Sequence, residues 1–288
     1  MPSPSGDLGP EGGVSHPPEH LLRDLDLIPS DLVNVADGRS GFAWRVRFGT
    51  HPAVLRYART AAEQDSRLSA LTAARQAGLP APRVLADVAD ETGALMVLEW
   101  LPGVPLAAFL WENLAMVGEC GRRFGQLQRA LHRVPAPAAV WSVRPESASF
   151  EQPIPPGLAS GLSTPPAGAL LHLDWHPYNV LVDADGQISG VIDWDNSRSG
   201  EPGLDLARTW AILTADPALA EQPERLRAAL PEFVAGWARG YDDGSGTAYD
   251  LIEDRHRRWA ARRMLAEWQR RQVATPAALA PLRRIAQD

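Results

Sequence analysis

At Leu101-Pro-Gly103 the apolar pattern of this chain changes period, so two different kinds of structure are expected on either side. Ahead of the break the pattern is that of strands. Phe42-Ala-Trp-Arg-Val-Arg-Phe48 alternates apolar with polar residues, as a half-buried strand does. Gly49-Thr-His-Pro52 supplies turn chemistry, and Ala53 to Tyr57 reads as the antiparallel return. Leu68, Leu71 and Ala74 have helical spacing within Thr60 to Gln76, and Gly78, Pro80 and Pro82 end that helix. Further strands are predicted at Arg83 to Asp87 and Leu95 to Glu99, and a short helical stretch near His20 to Leu27. Behind the break the spacing predicts helices over 106–133, 203–215, 224–240, 248–272 and 276–286, with a proline-rich segment between His132 and Leu170. The expectation is an α+β chain in three parts: a flexible tail (1–19), an N-terminal lobe (20–100) with a small antiparallel sheet and one main helix, and a mostly helical C-terminal lobe (101–288).

Composition narrows the partners. A net charge of -7 across 288 residues, with a pI near 5.5, argues against a surface devoted to nucleic acid or anionic lipid. No apolar run approaches the roughly 20 residues that span a bilayer. Met1 to Glu19 lacks the basic start and apolar core of a signal peptide, and the single Cys120 can form no internal disulfide. A cytoplasmic protein, monomeric or weakly dimeric, is expected. All 28 basic residues are arginine, so any task usually given to lysine falls to arginine here.

The chemistry concentrates between Leu171 and Asp195. Val180 to Val182 and Ile188 to Ile192 form a hairpin around Ala184-Asp185-Gly186. If Asp183 pairs with Gln187, Asn179 stands opposite Val191 and Asp193 is its diagonal neighbour on the same face. A two-residue turn would instead place them on opposite faces. An amide oxygen and a carboxylate so placed suit Mg²⁺, which takes one or two protein oxygens together with substrate phosphates. Asp174 lies on the loop entering the hairpin, where phosphoryl transfer needs an orienting base.

His172-x-Asp174-x4-Asn179, Ile192-Asp193-Trp194-Asp195 and Gly200-Glu-Pro-Gly-Leu-Asp205-Leu-Ala207 resemble the aminoglycoside phosphotransferase family. Leu98-Glu99-Trp100-Leu101-Pro-Gly103 resembles its hinge, and Gln126-Leu127 through Leu131-His132 the helix before its catalytic region. The resemblance covers roughly residues 30 to 250 and implies a protein-kinase-like, two-lobed fold. It implies Asp174 as catalytic base, Asn179 and Asp193 as magnesium ligands on ATP (GTP being the alternative), and His172 and Asp205 as supports. Glu99, Trp100 and Leu101 would meet adenine, while Gly38, Ser40, Gly41 and Arg56 would meet the phosphates. Arg56 stands where kinases keep lysine. The glutamate that would pair with it aligns with Gln64, and Glu63 is one position away. Leu173 replaces the family's usual glycine.

Other readings attach to the same residues. His172-Leu-Asp174-Trp-His176 has the spacing of a zinc cluster, and Asp183-Ala-Asp185-Gly186 that of a calcium-loop fragment without its later acidic ligand. The arginines at 255, 257, 258, 262, 263, 270 and 271 read as a solvated helical face. Asp195, Asp250 and Glu253 fall where the family lines its acceptor site, which points to an amine-bearing acceptor. The next helix begins about ten residues after Asp193, too soon for a peptide-binding activation segment, so a small-molecule hydroxyl is the expected acceptor. The competing reading is a nucleotide-binding pseudoenzyme, in which the changes at Arg56 and Gln64 abolish transfer.

Overall fold

The computed structural model describes residues 17–35, 43–145, 168–242, 246–271 and 274–287. The chain divides into two compact units, Met1–Asp65 with Arg83–Trp100, and Ser66–Pro82 with Leu101–Asp288.

The first unit opens with α1 (Glu19–Asp24) and builds an antiparallel sheet from β1 (Val33–Asn34), β2 (Ala43–Phe48), β3 (His51–Ala58), β4 (Val84–Asp90) and β5 (Gly93–Glu99), in the order β1-β2-β3-β5-β4. The β2–β3 turn is tighter than Gly49 to Pro52. Phe48 pairs directly with His51, because Gly49 takes the positive φ (60°) that a two-residue turn demands. Alternation then sorts the side chains. Trp44, Val46, Leu55, Tyr57, Leu95 and Val97 join Leu21, Leu22, Leu25 and Leu27 in one core, while the cross-strand partners Arg56 and Met96 fall on the other face. At the start of α2 (Ala61–Gln76), the Glu63 N–H donates to Thr60 Oγ1 and its carboxylate accepts from the Arg59 N–H, a reciprocal cap.

In the second unit, β6 (Val104–Pro105), β8 (Val180–Val182) and β9 (Ile188–Val191) form one small sheet, and β7 (Ala169–Leu171) pairs with β10 (Arg198–Gly200). Glycine is required at the break: Gly103 has φ 114°, and a Cβ there would lie 2.5 Å from Ser189 Oγ and 2.7 Å from the Val182 carbonyl oxygen. The helix expected over 106–133 is two, α3 (Leu106–Glu112) and α4 (Val117–His132). Asn113 turns its side-chain amide onto the Phe109 carbonyl, the local bond by which asparagine ends helices. After α5 (Pro202–Ala215) and α6 (Glu224–Tyr241), α7 (Asp254–Arg271) starts six residues later than expected, since Asp250 accepts from both the N–H and the hydroxyl of Thr247 and holds a turn there. A last helix, α8 (Ala280–Gln287), follows.

α4 and α6 approach through glycine. A Cβ at Gly125 would run into the Trp237 carbonyl and one at Gly240 into the Arg122 carbonyl, closer than real contacts allow. That approach brings Phe124 of α4 onto Phe233 of α6 (5.3 Å between centroids) and onto Trp175 (5.6 Å), so the helix pair supports the loop that carries Asp174. Among the described residues no helix is long and apolar enough to cross a membrane.

Candidate active site

The hairpin forms, one residue out of the expected register. Asp183 N–H does donate to the Gln187 carbonyl at 2.9 Å, but Val180, not Asn179, stands opposite Val191, because a bulge after Leu181 leaves Ser189 unpaired. Asn179 instead accepts from the Ile192 N–H at 2.9 Å. Continued alternation would now send Asn179 and Asp193 to opposite faces. Asp193 is not in the strand, however: it takes a left-handed conformation, φ 61° and ψ 65°, which aspartate tolerates better than most residues.

His172 ties the two loops together. It is fully buried, with its ring edge-on to Trp175 (5.6 Å) and Trp194 (5.1 Å), and its Nε2–H donates to the Ile192 carbonyl at 3.0 Å. The tryptophans that follow Asp174 and Asp193 are thus anchored on one imidazole. Burial pushes the His172 pKa down against the pull of Asp205, Asp174 and Asp193, so the ring is neutral while lying in the field of all three carboxylates.

Asp205, wholly buried at the start of α5, accepts from the backbone N–H of His172 (3.4 Å) and of Leu173 (2.6 Å). Its other oxygen contacts are the Nε2 atoms of His132 (2.8 Å) and Gln128 (3.3 Å), both on α4. Burial raises its pKa, but these bonds and the two histidines outweigh burial and hold it below the ordinary carboxylate range. The grip explains how leucine survives at 173, where φ is 60°. A left-handed residue with a Cβ costs about 1–2 kcal/mol, and glycine would avoid that cost.

Asp174 keeps about a fifth of its side chain exposed. Burial again raises its pKa, and the His176 imidazole, 3.6 Å from Oδ2, together with Arg208 and His172, reverses the shift well below the usual range. The Asn179 amide NH₂ donates to the Asp174 carbonyl (3.0 Å) and to Oδ2 (3.2 Å), which leaves Oδ1 as the end of the amide able to bind a cation. Asn179 Oδ1 and the Asp193 carboxylate are hard oxygen donors, a set that fits Mg²⁺. Among the described residues the zinc reading finds no ligand set: His172 Nε2 is bound to a carbonyl and His176 Nε2 faces Asp174 and Asn179.

Elsewhere the expected residues are placed as follows. Arg56 is buried on β3. Gln64 is buried, with Nε2 on the Val88 carbonyl at 3.3 Å and Oε1 without a partner. The N–H of Glu99 donates to the Arg83 carbonyl and its carboxylate binds Arg83, while Trp100 lies half exposed under the Arg45 guanidinium, 4.9 Å from its ring. Gly38, Ser40 and Gly41 lie outside the described residues, as does most of the proline-rich segment. Asp195 stands 3.5 Å from Arg67 Nε. Asp250 and Glu253 are tied within a turn of their own, Glu253 to Arg255, which also binds Glu201. The solvated-face reading fails at Arg263, which is buried against Glu267, and at Arg257, which lies over the Trp210 ring. Sequence reasoning missed His176 as a partner of Asp174; its place two residues on, in the same loop, was the available signal.

The family model described as the phosphotransferase enzyme family, APH, matches residues 31–159 and 158–244. Among solved structures, an aminoglycoside-3'-phosphotransferase of type VIII is 24% identical, with a TM-score of 0.56 over 87% of this chain and 98% of that one. A thermostable mutant of the aminoglycoside phosphotransferase APH(4)-Ia, in a ternary complex with AMP-PNP and hygromycin B, is 17% identical, with a TM-score of 0.58 over 96% of this chain and 98% of that one. The apoenzyme of a macrolide 2'-phosphotransferase from Brachybacterium faecium is 20% identical, with a TM-score of 0.50 over 93% and 96%. Curated protein sequences give no match. These likenesses establish the kinase-like α+β fold, and the family model spans most of the chain: it belongs to the APH phosphotransferase enzyme family.

Proposed function

We propose that this enzyme transfers the γ-phosphoryl group of ATP to a hydroxyl of a small molecule, with Asp174 as the base. The observation that carries the reading is the set of constraints on one loop. Asp174 is ionised, its carboxylate is gripped by the Asn179 amide, and the backbone just before it is held by Asp205. Asp174 accepts the hydroxyl proton as the acceptor oxygen bonds to the γ-phosphorus and the bond to the ADP oxygen breaks. A carboxylate with so low a pKa is a weak base, which suits a loose transition state where the proton leaves late and orientation matters more than basicity. Asn179 Oδ1 and Asp193 would hold Mg²⁺, which neutralises phosphate charge when bound. Arg56 supplies the charge that lysine gives other kinases and can bind phosphate oxygens in pairs. With the Glu99 N–H already bonded to Arg83, the donor to adenine falls to Trp100 or Leu101.

The acceptor is a hydroxylated antibiotic or an amino-alcohol or sugar metabolite. Solved structures of the same fold are named for aminoglycoside and macrolide substrates, and in this chain Asp195, Asp250 and Glu253 would meet an amine of the acceptor. ATP is the donor, with GTP the alternative, in a cytoplasmic monomer or weak dimer. One observation favours a second reading, nucleotide binding without transfer: Gln64 stands where a glutamate would steady Arg56, and its Oε1 is bonded to nothing. Incubation with Mg²⁺ and ATP against hygromycin B, streptomycin, a macrolide and a set of amino alcohols decides between them. Phosphorylated product by mass spectrometry supports transfer; thermal stabilisation by ATP with no product from any acceptor supports the second reading.

A further inference from the structure

Two buried arginines, one on α5 and one on α7, meet at Glu267. Arg208 lies on α5 three residues after Asp205, on the same helical face, so it looks toward the segment that Asp205 grips. Arg263 lies on α7, four residues before Glu267. Glu267 spans the pair: one oxygen accepts from Arg208 Nη2, and the other stands 3.1 Å from Arg263 Nε. Arg263 Nη2 donates onward to Asn196 Oδ1 at 3.3 Å, in the turn that follows Asp193. The side chains of Arg208, Arg263 and Glu267 are 6%, 7% and 18% exposed, so water screens their charges little.

The arrangement is unequal. Both guanidiniums meet Glu267, yet Nε and Nη1 of Arg208 are buried with no acceptor. Burial, with Arg208 nearby, pulls the Arg263 pKa down to about 9 despite Glu267. The field of Arg208 also reaches Asp174. A guanidinium with two idle donors that came within reach of that carboxylate would pair with it in fork geometry, and the pairing would occupy the lone pairs needed for the acceptor proton.

We propose that Glu267 is a positioning residue: it holds Arg208 away from Asp174 and so leaves the base open to the acceptor hydroxyl. This rests on the assignment of Asp174 as base made above. Glu267→Gln keeps the shape and removes the charge that retains Arg208. In its crystal structure the Arg208 guanidinium should have moved onto the Asp174 carboxylate, at about 3 Å. ADP release from Mg²⁺ and ATP, with water as acceptor, should fall in kcat by about tenfold or more, with KM for ATP changed by less than about twofold, since the base and not the metal ligands is blocked. Adding Arg208→Met to that variant should restore kcat to within about threefold of the parent, because the intruding cation is gone. Arg208 unmoved in the crystal structure, or a double variant no faster than Glu267→Gln alone, would overturn the proposal. Should Glu267→Gln not fold, Arg208→Met with Arg263→Met and Glu267→Met removes the buried cluster as a unit, a change that buried ionic clusters tolerate. Turnover within about threefold of the parent then supports the proposal, and a loss beyond about tenfold overturns it by giving the cluster a direct part in the reaction. Full turnover by Asp174→Ala would sink the base assignment instead, whereas the position of Arg208 in the Glu267→Gln crystal structure is read without any activity.

Discussion

Residues 172–179 and 247–256 are both short stretches rich in acidic and histidine side chains, yet they spend their charges differently. In the second stretch the two carboxylates find their partners close at hand. Asp250 caps its own turn at Thr247, Glu253 binds Arg255, and His256 accepts from the Glu253 N–H and faces Glu201 at 3.0 Å. Arg255 and Glu253 are 41% and 61% exposed, where an ion pair is worth about 0–1 kcal/mol. In the first stretch Asp174 also has neighbours for partners, His176 and Asn179, but the backbone ahead of it is held from afar. Asp205 reaches His172 and Leu173 from over thirty residues away, and His132 and Gln128 reach Asp205 from over seventy. A carboxylate satisfied locally in water decides little beyond its own turn. One held dry by three elements fixes a backbone, sets a field and transmits any change.

The sharpest way to break that contrast is Asp174→Ala. Turnover should fall by about 10³-fold or more, while calorimetry should find affinity for ATP changed by less than about threefold, as the variant loses the base and keeps the metal ligands. Retained turnover would show that the dry loop carries no chemistry. Asp205→Asn probes the same loop through stability. It leaves His132, Gln128 and two backbone N–H groups facing an amide instead of a carboxylate, and should cost about 3–5 kcal/mol in denaturant unfolding. Its pH signature has a definite sign. The folded-state pKa of Asp205 is depressed, so its contribution is complete above the unfolded value of about 4 and is lost as the pH falls through the folded value. The parent should therefore lose stability over that acid range, and the variant should lose less. Equal acid limbs would mean that Asp205 is not the clamp. A smaller effect separates strain from burial at Leu173, which is fully buried at positive φ. Leu173→Ala removes about 2–4 kcal/mol of packing and keeps the strain, whereas Leu173→Gly loses similar packing and recovers about 1 kcal/mol. Glycine should be no worse than alanine here, the reverse of their usual order; a clear advantage for alanine would show that φ at 173 relaxes at no cost.

What could be read from the chain alone was what lies close in sequence. The hairpin, the spacing of Asp174, Asn179 and Asp193, and the strand-to-helix change at Gly103 follow from period and turn chemistry within a few residues. The register did not follow, because the single unpaired Ser189 decides it and nothing in a run of Ile-Ser-Gly-Val marks which residue bulges. Nor did the left-handed turn at Asp193, which undoes the consequence of that shift. The ten tryptophans read as core in general. That Trp175 and Trp194 in particular flank one histidine depends on how two loops meet. The network of Arg208, Glu267 and Arg263 was hidden for the same reason: Arg263 belongs to a run of arginines that looks solvated, and its burial is decided by how α5 and α7 lie together.

The smallest expected effect lies in the exposed stretch. Glu253→Gln removes one carboxylate whose charge is already shared with Arg255 and screened by water. If an amine of the acceptor is read there, the charge lost is worth no more than about 1 kcal/mol, so KM for an amine-bearing acceptor such as hygromycin B should rise about two- to fivefold with kcat unchanged. A rise beyond about tenfold would mean that the acceptor dries this turn and that its charges matter as those around Asp174 do. No rise at all would place the amine contacts elsewhere, with Asp195 the next carboxylate to neutralise; Arg67 would then lose that carboxylate, so Asp195→Asn should be compared with a variant that also carries Arg67→Met.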